Sequence, residues 1–164
     1  MNKPQQHQPQ SESVWDYPRP PLLEPTSRRI RILHAGHTLA DTTLALRILE
    51  TSHPPVYYLP QHALPMHLLT RSQTRQTFCE FKGVATYWNL TLPGQIVQDI
   101  AWCYESPTDP YEDLAHHLAF YPGKPDECWV DDERVLPQPG DFYGGWITSD
   151  LRGPFKGAPG TLGW

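Results

Sequence analysis

The chain has 164 residues, 38% of them hydrophobic and 12% aromatic, with a formal net charge of −5. That length suits one domain with a sizeable core carried by rings more than by aliphatic side chains. Nineteen prolines argue against long helices, the acidic balance offers no concentrated basic face for nucleic acid, and no apolar run is long enough for a membrane span.

Residues 1–13 are Gln, Ser, Pro and His without periodicity and are expected to be a disordered tail. Val14 to Pro21 combines a Trp and a Tyr with prolines that favour an extended arm of low residual entropy. Arg28–Leu33 and Thr38–Ala40 read as a hairpin turning through His34-Ala35-Gly36-His37, with both histidines at the surface. Asp41-Thr42-Thr43 is a candidate cap for a short helix through Leu44, Ala45, Ile48 and Leu49, although the same residues fit a strand. The prolines at 54 and 55 impose an extended approach to Val56–Leu59, an edge or first strand with Tyr57 and Tyr58 on opposite faces. A short helix is predicted over Gln61–Leu69, and Arg71–Arg75 reads as a polar loop.

The run from Phe78 to Tyr104 is the strongest structural signal. Two Val-, Ile-, Thr- and aromatic-rich stretches flank Leu92-Pro93-Gly94-Gln95, so a hairpin with Pro93-Gly94 at its tip is expected. That register sets Ala85 opposite Trp102 and Tyr87 opposite Ile100. Period two then places Cys79, Phe81, Gly83, Ala85 and Tyr87 on a core face, and Glu80, Lys82, Val84, Thr86 and Trp88 on the other. Asp109-Pro110 is expected to open a helix that uses Leu114, Ala115, Leu118 and Ala119. Glu127–Val130 and Arg134–Leu136 read as a third hairpin. The Gly-, Pro- and ring-rich segment 137–164 suits a wrapping arm, leaving residues 14–136 as a single mainly-β domain. Three widely spaced cysteines, Cys79, Cys103 and Cys128, are expected to be free thiols. The N-terminus lacks the hydrophobic segment of a secretory signal, so a cytoplasmic location is expected.

CEFKGVATYW at Cys79–Trp88, AWCYESP at Ala101–Pro107, ETSHPPVYYLP at Glu50–Pro60 and GHTLADT at Gly36–Thr42 together resemble the bacterial domain-of-unknown-function family numbered 427, filed in some collections as nucleotidyltransferase-like. The resemblance spans about residues 28–122. It implies a mainly-β fold, a compact barrel or tent-like arrangement of antiparallel hairpins with one to three short helices. Phe81 stands where the family pattern has Trp. Polymerase-type nucleotidyl transfer needs a Gly-Ser turn followed by aspartates spaced to hold two metal ions; this chain has no Gly-Ser pair, and Asp131-Asp132 lies in a predicted hairpin turn.

Glu50, His53, Tyr57, Glu80, Lys82, Trp88, Trp102 and Tyr104 are the candidate ligand-binding residues. Lys82 suits an anionic or carbonyl oxygen, Glu50 or Glu80 accepts a hydrogen bond or proton that His53 relays, and the rings stack on a planar group. The competing reading makes Lys82 half of a buried ion pair with a Glu. The expected function is therefore binding of a small planar or anionic metabolite, with no cofactor and no metal ion implied. A metal-independent acid–base enzyme and a structural protein are the alternatives. The partners expected are a small molecule and a second copy of the chain in a homodimer formed through the arms, with neither nucleic acid nor membrane.

Overall fold

The computed structural model describes residues 11–140 and 142–164. Its strands, in chain order, are β1 (Glu12–Ser13), β2 (Leu22–Pro25), β3 (Ile30–His34), β4 (His37–Thr42), β5 (Leu46–Leu49), β6 (Val56–Pro60), β7 (Leu69–Cys79) and β8 (Gly83–Leu92). There follow β9 (Gln95–Cys103), β10 (His117–Phe120), β11 (Glu127–Val130), β12 (Glu133–Arg134), β13 (Leu136–Pro137), β14 (Trp146–Ile147) and β15 (Leu151–Arg152). Helical structure among the described residues is confined to short 3-10 turns, such as Asp109–Leu114. The fold is mainly β, as the sequence implies.

Two antiparallel sheets dominate. The larger has the order β2-β5-β6-β10-β9-β8-β7, and the smaller β12-β11-β3-β4. Both are open, so the barrel alternative gives way to two facing sheets. Between them lies a core built from alternate residues of each: Ile30 and Ile32 of β3 and Val130 of β11 meet Tyr57 and Leu59 of β6, Leu118 and Phe120 of β10 and Leu90 of β8. The opposite face of the large sheet is aromatic, with Tyr58, Tyr87, Trp102, Tyr104 and Tyr121 clustered on it.

The β8–β9 hairpin turns at Pro93-Gly94, with Gly94 at φ +74°, a conformation that only glycine adopts without steric cost. Leu92 pairs with Gln95 and Leu90 with Val97, the predicted register. Beyond Asn89 it shifts by two, and Tyr87 faces Trp102 rather than Ile100. A bulge at Asp99 absorbs the shift: its φ is +51° and its amide donates to Asn89 Oδ1 at 2.8 Å. A shift of two preserves faces, so Ala85, Tyr87 and Trp102 stay together.

Several expectations are corrected. Arg71–Arg75 is not a loop but part of β7, the polar edge strand. Leu46–Leu49 takes the strand alternative, and the helix at Asp109 stops at Leu114, so that His117–Phe120 becomes an interior strand. Val56–Pro60 is also interior, between β5 and β10. Glu80, Phe81 and Lys82 form the turn from β7 to β8, so strand alternation does not apply to them. His34 is buried; His37 is exposed, as expected. The three cysteines are free, Cys103 and Cys128 buried and Cys79 half-buried.

The tail expected to be disordered lies mostly outside the described residues, but its end is ordered: Glu12–Ser13 pairs in parallel with Leu151–Arg152. Both arms pack on their own chain. Trp15 meets Trp164 edge-on at 5.3 Å and donates from Nε1 to the Pro154 carbonyl at 2.8 Å. Trp146 is fully buried in the inter-sheet core, edge-on to Tyr57 at 5.3 Å, and its Nε1 donates to the Phe120 carbonyl at 3.0 Å. The C-terminal segment is thus part of the fold.

Candidate functional site

A cavity of about 270 Å³ opens on the aromatic face of the large sheet. Trp102 and Tyr58 form its floor, with Trp102 Nε1 donating to the Tyr58 hydroxyl at 3.3 Å. Tyr87 lies beside them, its hydroxyl 2.8 Å from Thr77 Oγ1. Burial raises the Tyr58, Tyr104 and Tyr121 hydroxyls above the usual phenol range, so these rings remain neutral.

One wall is the β7–β8 turn. Thr108 pins it, its amide donating to the Lys82 carbonyl at 3.1 Å and its hydroxyl to the Phe81 carbonyl. Phe81 is therefore a turn residue lining the cavity, not a strand residue of the core. Glu80 stays exposed at the rim, whereas Lys82 folds inward and is only 8% exposed, its Nζ 5.7 Å from the centre of the Tyr104 ring. No ion pair holds Lys82 among the described residues, which removes the buried Lys–Glu pair weighed from the sequence. Glu50 is instead engaged by Arg19 at 3.5 Å and His53 at 3.4 Å.

The opposite wall joins the β5–β6 connection to the C-terminal segment. His53 is buried there, edge-on to Tyr143 at 4.7 Å. Gln138 lies behind it, with Nε2 3.0 Å from His53 Nδ1 and 2.8 Å from the Lys156 carbonyl. Burial pushes the imidazole pKa down to about 4, and the neighbouring positive charges of Lys156, Arg19 and Lys82 add to the effect while Glu50 opposes it. Lys156 itself reaches over the Tyr143 ring, 5.4 Å from its centre. Gly144 lies so close to Trp102 that any Cβ there would collide with the indole ring, and the backbone at 144–145 closes directly over the floor.

Six of the eight predicted site residues, Glu50, His53, Glu80, Lys82, Trp102 and Tyr104, line this one cavity. Tyr57 and Trp88 do not. They face the inter-sheet core, where Trp88 Nε1 lies 3.2 Å from Cys103 Sγ. Sequence reasoning did not identify Tyr58, Tyr87, Gln138, Tyr143 or Lys156 as lining residues. Tyr58 could have been found from its alternation with Tyr57, but the aperiodic tail gave no signal for the others it supplies. Among the described residues no group of three or more His, Cys, Asp or Glu side chains is arranged to hold a metal ion, and no helix is long and apolar enough to cross a membrane.

The sequence profile of the family described as Domain of unknown function (DUF427) matches residues 22–131. No curated protein matches the chain. The matched span contains the floor and the Lys82 wall, whereas Gln138, Tyr143, Gly144 and Lys156 lie beyond it.

Proposed function

The chain belongs to the DUF427 family, and from the chemistry of its cavity we propose that it binds a small planar metabolite carrying an anionic group. The observation that carries this reading is Lys82, a side chain only 8% exposed whose ammonium has no carboxylate partner among the described residues and lies at the edge of an aromatic cavity. A cation held at the mouth of an apolar cavity interacts strongly with an anion that enters beside it, because water is partly excluded there. An anionic ligand would make that interaction, and the rings of Trp102 and Tyr104 would cover its plane. At about 270 Å³ the cavity lies near the small end of ligand pockets, which favours one ring over a nucleoside triphosphate and so speaks against nucleotidyl transfer.

Acid–base catalysis is the second reading, favoured by the 3.4 Å approach of His53 Nε2 to Glu50. A carboxylate beside a neutral imidazole could accept a proton from a bound acid. Binding is the simpler claim, because catalysis requires it as well.

The test is thermal stability of the purified chain with benzoate as the planar acid, repeated with Lys82→Met. At a hundredfold its dissociation constant a ligand adds about 2.7 kcal/mol of stability. The proposal expects a rise in Tm that the variant loses. Equal stabilisation of both proteins, or of neither, would overturn it.

A further inference from the structure

We infer that Gln138 fixes the tautomer of His53 so that the imidazole proton lies on the side of Glu50, whose second carboxylate oxygen is left free to accept from the ligand. On this inference, which rests on the proposed function above, the ligand is a planar ring bearing an acidic group for Lys82 and an N–H donor for Glu50.

The direction follows from donor and acceptor counting. The Gly145 amide can only donate, and it lies 3.0 Å from Gln138 Oε1. The Lys156 carbonyl can only accept, and it lies 2.8 Å from Gln138 Nε2. These two backbone groups fix which end of the Gln138 amide is oxygen and which is nitrogen. Gln138 Nε2 therefore spends its second hydrogen on His53 Nδ1, 3.0 Å away, and that nitrogen must be the unprotonated one. The imidazole proton accordingly sits on Nε2, which lies 3.4 Å from Glu50 Oε2, an electrostatic approach and not a formed hydrogen bond. Arg19 approaches the same oxygen at 3.5 Å. Glu50 Oε1 has no donor among the described residues, and Glu50 lines the cavity.

The cavity thus offers two complementary stations. Lys82 calls for negative charge, and Glu50 Oε1 calls for a donor, best a charged or polarised N–H. A ring acid with no donor satisfies only the first. Gln138 touches no ligand atom in this scheme and acts through His53, so it is a positioning residue. It lies outside the family-matched span, as does Lys156, so the group that orients His53 comes from the C-terminal segment while Glu50 and His53 themselves lie within the span.

The experiment compares 4-aminobenzoate with benzoate by calorimetry on the full chain and on Gln138→Met, alongside nitrogen-15 NMR of the His53 ring in the unaltered protein. The expected results are a protonated Nε2, a preference for 4-aminobenzoate of about tenfold or more, and a fall of that ratio toward one in the variant. A proton on Nδ1 overturns the inference whether or not the variant folds. Equal affinity for the two acids, with Lys82 still required, overturns this inference and leaves the proposed function standing. Binding of neither acid overturns both.

Discussion

His53 is a histidine placed where protonation is unfavourable. The unfolded chain gains a proton near the ordinary value of 6.5, whereas burial holds the folded imidazole to about 4. Between those values the unfolded state binds more protons, so stability rises with pH across the window and falls on acidification from neutrality toward pH 4. The loss should reach a few kcal/mol at most, since each pH unit between the folded and unfolded values is worth about 1.4 kcal/mol. Urea unfolding at pH 7 and pH 4.5 should show it, and His53→Gln should flatten the slope. The carboxylates that Arg47 and Arg28 hold low, Glu12 and Asp131, add acid sensitivity only below their ordinary range, so the two contributions separate. A slope unchanged in the variant would mean that the imidazole titrates normally. Gly144 provides a steric counterpart. Gly144→Ala forces the Trp102 indole or the tail to move, so benzoate affinity should fall together with a stability loss of about 1–3 kcal/mol. Calorimetry paired with urea unfolding checks both.

The β7–β8 hairpin shows what an element contributes beyond its residues. A turn of Glu80, Phe81 and Lys82 carries the cation at the cavity, and Thr108, on the loop after β9, holds that turn by its amide and its hydroxyl. Thr108→Val keeps the amide bond and deletes the hydroxyl bond at an exposed position, so global stability should drop by only about 0.5–1.5 kcal/mol. Affinity for benzoate should drop by more than that, because Lys82 loses its fixed placement; calorimetry beside urea unfolding separates the effects. Equal losses would make Thr108 merely structural. This hairpin also marks how far the sequence was legible. The β8–β9 turn could be read from Pro93-Gly94 and the flanking β-branched residues, whereas β7 could not, because an edge strand of Thr, Arg, Gln and Ser derives its order from pairing with β8 and not from its own apolar alternation. His117–Phe120 failed for the opposite reason. With both faces covered, its apolar run has no period to distinguish strand from helix. Glu50, His53, Glu80, Lys82, Trp102 and Tyr104 meet at one cavity and fall in the aromatic-rich segments, whereas Tyr57 and Trp88 face the inter-sheet core, because period two shows which residues share a face but not which face lines the cavity.

At the scale of the whole molecule the arms decide whether the family-matched span is a domain by itself. The N-terminal arm pairs β1 with β15, and Glu12 of that arm bonds Arg47 of the large sheet at 3.0 Å. Arg28 reaches Asp150 near the other end of the chain at 2.8 Å. The larger contribution is Trp146. It fills the space between the sheets against Tyr57, and the segment leading to it covers the cavity. Removing a buried Trp side chain costs about 3–5 kcal/mol, a large part of the roughly 5–15 kcal/mol that holds a domain together. A chain ending at Leu136 loses Trp146, the β13–β14 and β1–β15 pairs and the Gln138 contact together. It should therefore unfold without a sharp thermal transition, while Trp146→Ala in the full chain should stay folded with a Tm lowered by about ten degrees or more. Circular dichroism melts of both proteins test this directly. A truncated chain that melts cooperatively within a few degrees of the full one would make residues 22–131 a self-sufficient domain and the tail an attached cover for the cavity. A broad melt would make the tail a structural partner of the sheets, so that the cavity and the inter-sheet core are stabilised by the same segment.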